Sequence, residues 1–134
     1  MSEAKKVSEQ RRGKKKVRRT VPHGRMYIQS TYNNTIISFA DEQGNVLAWS
    51  SSGSNGFKGP KKATPYAASV IIRTLYEKIK DFGVKQVDVF VKGVGSGRES
   101  AIRSLTQHGI AILSIKDSTP TPHNGTRPPR PRRV

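Results

Sequence analysis

The chain has 134 residues and a formal net charge of +16, with 25 Lys and Arg against 9 Asp and Glu. That length suits one domain of modest core, and that charge calls for a polyanionic partner, nucleic acid before an anionic membrane. With no cysteine, no apolar run near the ~20 residues of a bilayer span and no apolar segment behind the charged N-terminus, the sequence argues against disulfides, cysteine-ligated zinc, a membrane helix and a secretory signal, and fits a cytosolic protein.

Residues 1–24 read as a basic arm. Ten of the Lys and Arg, and two Glu, fall within residues 1–25, while Met1–Gly24 has few apolar residues beyond Val7, Val17 and Val21. Such a segment buries too little surface to offset its ordering entropy. Lys14, Lys15, Lys16, Arg18 and Arg19 suit either a phosphate-binding arm that orders on contact or a solubilising tail.

A globular α/β domain is expected over residues 25–117. Met26–Tyr32, Thr35–Ala40 and Val46–Ser51 read as three strands of an antiparallel meander. Asn33-Asn34 is the first turn, since Asn tolerates left-handed backbone, and Asp41–Asn45 is the second. Trp49 is expected to pack rather than to offer a stacking platform. Ser52–Lys62 is expected to be a long loop without secondary structure of its own. In it, Phe57 beside Lys58, Lys61 and Lys62 suits either contact with nucleic acid or a mobile connector whose ring tucks into the core.

Thr64 and Pro65 open a helix as N-cap and first helical residue. Ala68, Ile71, Ile72, Leu75, Ile79 and Phe82 form its apolar stripe, and Gly83 ends it. The stretch Gln86–Leu105 then reads strand, glycine turn, helix. Val87, Val89 and Val91 alternate with Asp88, Phe90 and Lys92. Gly93-Val94-Gly95-Ser96-Gly97-Arg98-Glu99 follows, with Ser96 and Glu99 spaced as a capping box. Amides, a helix dipole and Arg98 would meet at this helix start, which suits a phosphate; equally, the glycines suit a tight turn. Arg98 stands where a dinucleotide fingerprint needs a third glycine, and no Walker loop is present. His108-Gly109 closes the helix, and Ile110, Ile112 and Ile115 mark a last strand. The whole predicts one mixed sheet, an antiparallel meander joined to parallel strands, with two helices packed on it.

Residues 118–134 form a tail with five prolines, from which Arg127, Arg130, Arg132 and Arg133 project. Arginine density favours RNA over a proline-motif partner. Asn124-Gly125 also carries the chemistry for slow isoaspartate formation, which a mass map of the tail would detect. No catalytic set is apparent: His23, His108 and His123 lie far apart and no carboxylate pair suggests a cleft. Without cysteine, three histidines do not suggest a structural metal.

The combination of Ser30-Thr31-Tyr32-Asn33-Asn34-Thr35-Ile36, Gly56-Phe57-Lys58-Gly59, Thr64-Pro65-Tyr66-Ala67-Ala68, Gly97-Arg98-Glu99 with Ala101-Ile102-Arg103, and Pro122-His123-Asn124-Gly125 with Arg127-Pro128-Pro129 resembles the universal ribosomal protein eleven of the small subunit, in its bacterial form. The resemblance covers nearly all of residues 13–134. It implies a ribonuclease-H-like arrangement without nuclease chemistry or cofactor, placed in the cytoplasmic ribosome. It also implies binding to 16S rRNA in the 30S platform, near where messenger RNA leaves the P and E sites, beside other small-subunit proteins. The rRNA-binding candidates are then Lys14, Lys15, Lys16, Arg18 and Arg19 in the arm. In the domain they are Asn33, Asn34, Phe57, Lys58, Lys61, Lys62, Gly97 and Arg98, and in the tail His123, Asn124, Arg127, Arg130, Arg132 and Arg133. Two features depart from the family pattern: Val94 and Ser96 stand where prolines are usual, and Thr126 where many bacterial members have cysteine. A free-standing nucleic-acid chaperone and an RNA-acting enzyme are the rival readings; the first would show no preference among RNAs, the second would need a metal-binding carboxylate cluster.

Overall fold

The computed structural model describes residues 20–133, so Lys14, Lys15, Lys16, Arg18 and Arg19 lie outside the described residues. Five strands run β1 His23–Ser30, β2 Thr35–Ala40, β3 Val46–Ser51, β4 Gln86–Lys92 and β5 Ala111–Asp117. Helix α1 spans Pro65–Ile79 and α2 Gly97–Gln107. The sheet order is β3-β2-β1-β4-β5. β1 pairs antiparallel with β2 and parallel with β4, β2 antiparallel with β3, and β4 parallel with β5. This is the mixed α/β sheet that the sequence predicts.

Period-2 alternation decides which face is covered. Met26 and Ile28 of β1, Ile37 and Phe39 of β2, and Val87, Val89 and Val91 of β4 are buried on one face. α1 packs there on β2 and β3, α2 on β1 and β5, and the helices pack on each other. Ala68, Ile71, Ile72, Leu75 and Ile79 of α1, with Ala101 and Leu105 of α2, complete the core. Parallel strands covered on both faces are apolar throughout. β4 instead alternates, and its Asp88, Phe90 and Lys92 face away from the helices, on a side that no helix among the described residues covers.

Several local expectations differ from the structure. β1 begins at His23 rather than Met26 and ends at Ser30 rather than Tyr32. The turn is wider than Asn33-Asn34 because Thr31 closes it: its amide donates to the Asn34 carbonyl at 2.8 Å, and its hydroxyl accepts from the amides of Asn33 (3.3 Å) and Asn34 (3.1 Å). Neither Asn needs left-handed backbone, which among the described non-glycine residues only Asn124 adopts, at φ 62°. The Ile112–Ile115 spacing, odd for a strand, arises from a bulge. Val87 pairs with Ile112 and Val89 with Ile115, which leaves Leu113 as the extra residue. α1 ends at Ile79, and a 3-10 turn over Lys80–Phe82 carries the chain to left-handed Gly83.

Trp49 is a larger departure. Expected to pack, it is 54% exposed. β3 is an edge strand, and Trp49 is in register with Ser38 on the uncovered face. Lys78 donates to the Trp49 carbonyl at 3.0 Å and lies 5.9 Å from the centre of its ring.

Candidate nucleic-acid interface

The C-terminal ends of β1, β3, β4 and β5 lie at one end of the sheet with the start of β2. The β1–β2 turn, the β3–α1 loop and the glycine turn before α2 therefore come together there. Hydrogen bonds join them directly. Ser52 N donates to the Thr35 carbonyl at 3.1 Å and Gly95 N to the Ser30 carbonyl at 3.0 Å. Ser96 Oγ donates to the Ala63 carbonyl at 2.6 Å. Both helices thus start at this end, and their dipoles give it a fixed positive potential.

The β3–α1 loop has secondary structure of its own, against expectation. It contains 3-10 turns at Gly53–Asn55 and Gly59–Ala63. Ser52 Oγ donates to the Lys62 carbonyl at 2.6 Å and closes the loop's base. Asn55 Nδ2 donates to Ser50 Oγ (2.9 Å) and the Ser51 carbonyl (2.8 Å), while its Oδ1 accepts from Thr74 on α1 (2.7 Å). Polar side chains make most of the contacts that fold this loop, whose one large apolar residue is Phe57. Phe57 is half-buried, edge-on to Tyr66 at 5.9 Å between centres. It neither enters the core nor stands free. Lys58 and Lys61 are exposed and Lys62 half-exposed.

At the glycine turn, the tight-turn account suffices for the glycines. Gly93 has φ 95°, and side chains at Gly93 or Gly95 would run into the backbone of Ser30 and Thr31. At Gly97 a Cβ would lie 2.8 Å from Thr35 Oγ1. The capping box does not form. Ser96 adopts helical angles (φ −69°, ψ −14°) and makes no side-chain cap, because its hydroxyl is committed to Ala63. Thr64 does cap α1 as expected, accepting from Ala67 N at 3.2 Å.

Arg98 is drawn inward. Nη1 donates to the Gly93 carbonyl at 2.7 Å, and Nη2 to Asp117 Oδ2 at 2.8 Å. Asp117 Oδ1 accepts from the Thr119 hydroxyl (2.6 Å) and amide (3.0 Å), which with Arg98 holds its carboxyl down at about 2. Ser118 N donates to the Val91 carbonyl at 2.8 Å, and Gly93 N to Thr119 Oγ1 at 3.2 Å. The tail is therefore rooted beside the glycine turn and leaves from the same end. Beyond that root His123, Asn124, Arg127, Arg130, Arg132 and Arg133 are all exposed.

The structure thus gathers Asn33, Asn34, Phe57, Lys58, Lys61, Lys62, Gly97 and Arg98 with the root of the tail. Sequence reasoning passed over Tyr32 and Tyr66 as functional residues, yet they are 78% and 66% exposed at this end. Their position inside the Ser30–Ile36 and Thr64–Ala68 motifs was the available signal. Among the described residues, no three His, Asp or Glu side chains cluster as metal ligands. No helix there is long and apolar enough to cross a membrane.

The family described as ribosomal protein S11 matches residues 24–133. With that span covered, the chain belongs to the ribosomal protein S11 family, non-enzymatic structural proteins of the small ribosomal subunit that bind rRNA among its other proteins.

Proposed function

We propose that this chain binds 16S rRNA in the platform of the cytoplasmic 30S subunit, beside the path by which messenger RNA leaves, and helps to shape that region together with neighbouring small-subunit proteins. The observation that carries this reading is the convergence at one end of both helix starts, the loop lysines and the root of the arginine tail. Lys58, Lys61 and Lys62 take phosphates, with Asn33, Asn34 and Phe57 beside them; Gly97, buried at the α2 start, lets α2 pack against Thr35 and Ala68 rather than meeting RNA itself. Arg98 ties the tail to the glycine turn and keeps donors for a phosphate, since its guanidinium has more N–H groups than its two contacts use. His123, Asn124, Arg127, Arg130, Arg132 and Arg133 line the tail along RNA, and Lys14, Lys15, Lys16, Arg18 and Arg19 do the same from the arm.

The test is mild crosslinking in lysate, followed by isolation of the protein and sequencing of attached RNA. Crosslinks concentrated in a few small-subunit rRNA segments are expected. Crosslinks scattered over unrelated RNA, without ribosome co-sedimentation, would overturn the reading in favour of a general nucleic-acid chaperone.

A further inference from the structure

The face of the sheet opposite the helices carries one cross-strand row that spans all five strands. Lys116 of β5 is in register with Phe90, Phe90 with Tyr27, Tyr27 with Ser38, and Ser38 with Trp49. Tyr27 and Phe90 stack, with centres 5.2 Å apart and planes 20° from parallel. The Arg25 guanidinium lies 5.9 Å from the Phe90 centre and the Lys116 ammonium 5.8 Å. Beside the pair runs an open groove of about 340 Å³, lined by Gln29, Ile36, Ser38 and Lys92 as well as the two rings. Asp88 and Glu42 hold His23 between them, and Asp88 is in register with Arg25, so Lys116 and Lys92 are the cations of this face that have no acid in register with them.

We infer that this face is a second RNA surface, distinct from the end described above, and that it takes unpaired bases of a single strand. Two stacked, half-buried rings form a platform for a base, and Ser38, being small, leaves room beside Tyr27. A duplex hides its base faces and gains nothing from such a platform. Arg25, Lys92 and Lys116 stand around the rings on long stems, where the phosphates flanking a stacked base would lie. The inference rests on RNA being the ligand but assigns it a different chemistry, stacking rather than phosphate neutralisation alone.

The test uses the full chain with a 12-nucleotide oligouridylate, against a 12-base-pair RNA duplex as control. Irradiation of the unmodified protein with oligouridylate should attach uridine to Tyr27 or Phe90, the latter in the tryptic peptide Gln86–Lys92. Tyr27→Leu should weaken oligouridylate binding on the order of tenfold and leave duplex binding unchanged. Attachment confined to the 52–63 loop, the arm or the tail would overturn the inference. So would an affinity for oligouridylate that is unchanged in a folded Tyr27→Leu protein. In either event the reading of the chain as an rRNA-binding protein would stand, with this face left to a protein neighbour.

Discussion

Asp117 shows how much one carboxylate organises here. It takes two hydrogen bonds from Thr119 and one from Arg98, at the last residue of β5 and the root of the tail. Those partners lower its pKa from 3.8 to about 2, the Thr119 contacts first and Arg98 after them. The charged form is favoured in the folded state, so its stabilisation is present above the ordinary value and is lost as pH falls through about 2. Asp117→Asn should therefore melt below the unmodified protein near neutral pH, and the two melting temperatures should converge as pH approaches 2. Equal separation at every pH would show that the charge of Asp117 is not what holds the tail root. Because Arg98 is committed to the same network, it shapes the interface even before it meets a phosphate.

At the scale of elements, the glycine turn separates two uses of glycine. Gly93 needs both positive φ (95°) and the absence of a side chain, because Ser30 packs against it. Gly44 has much the same φ, 93°, with nothing near its Cα substituent. Gly44→Ala should cost only backbone strain, about 1 kcal/mol. Gly93→Ala adds a clash with backbone and should cost about 3 kcal/mol or more. Urea denaturation of both variants checks this; equal losses would mean that the strand–turn contact yields easily. That contact also marks the limit of what sequence discloses. Strands β2 and β3, the α1 cap and the apolar stripes follow from periodicity and local chemistry, which neighbours in sequence determine. Ser96 has the right spacing for a cap, but Ala63, 33 residues away, takes its hydroxyl. Likewise the loop's order depends on Thr74 holding Asn55, and the exposure of Trp49 on β3 being an edge strand. Each is set by a partner, or a missing neighbour, that only the assembled sheet reveals. The site's composition was legible; the convergence of its pieces at one end was not.

Across the whole molecule, the two basic segments attach at opposite ends of the sheet. Val21 and Pro22 are bonded to Phe82, Lys85 and Gln86 near the start of β4, whereas Ser118 and Thr119 are held at its other end. A strand the length of β4, Gln86–Lys92, separates these roots by about 20 Å. From its root the tail over residues 118–133 can reach about 50 Å at the ~3.1 Å per residue of a proline-rich extended chain. One small domain can thus engage RNA elements well beyond its own width, with the core fixing direction and the tail supplying charge. If Arg127, Arg130, Arg132 and Arg133 each displace a counterion from RNA, replacing all four with Gln should flatten the slope of log affinity against log salt by about three, using ~0.7–0.9 per contact. The core lies apart from these exposed residues, so its melting temperature should not move. Measuring rRNA-fragment binding between 50 and 200 mM salt gives the slope. A flattening of that size would establish that the tail binds along its whole arginine run. An unchanged slope would confine the tail to its root and shift the phosphate contacts to the loop lysines and the N-terminal arm.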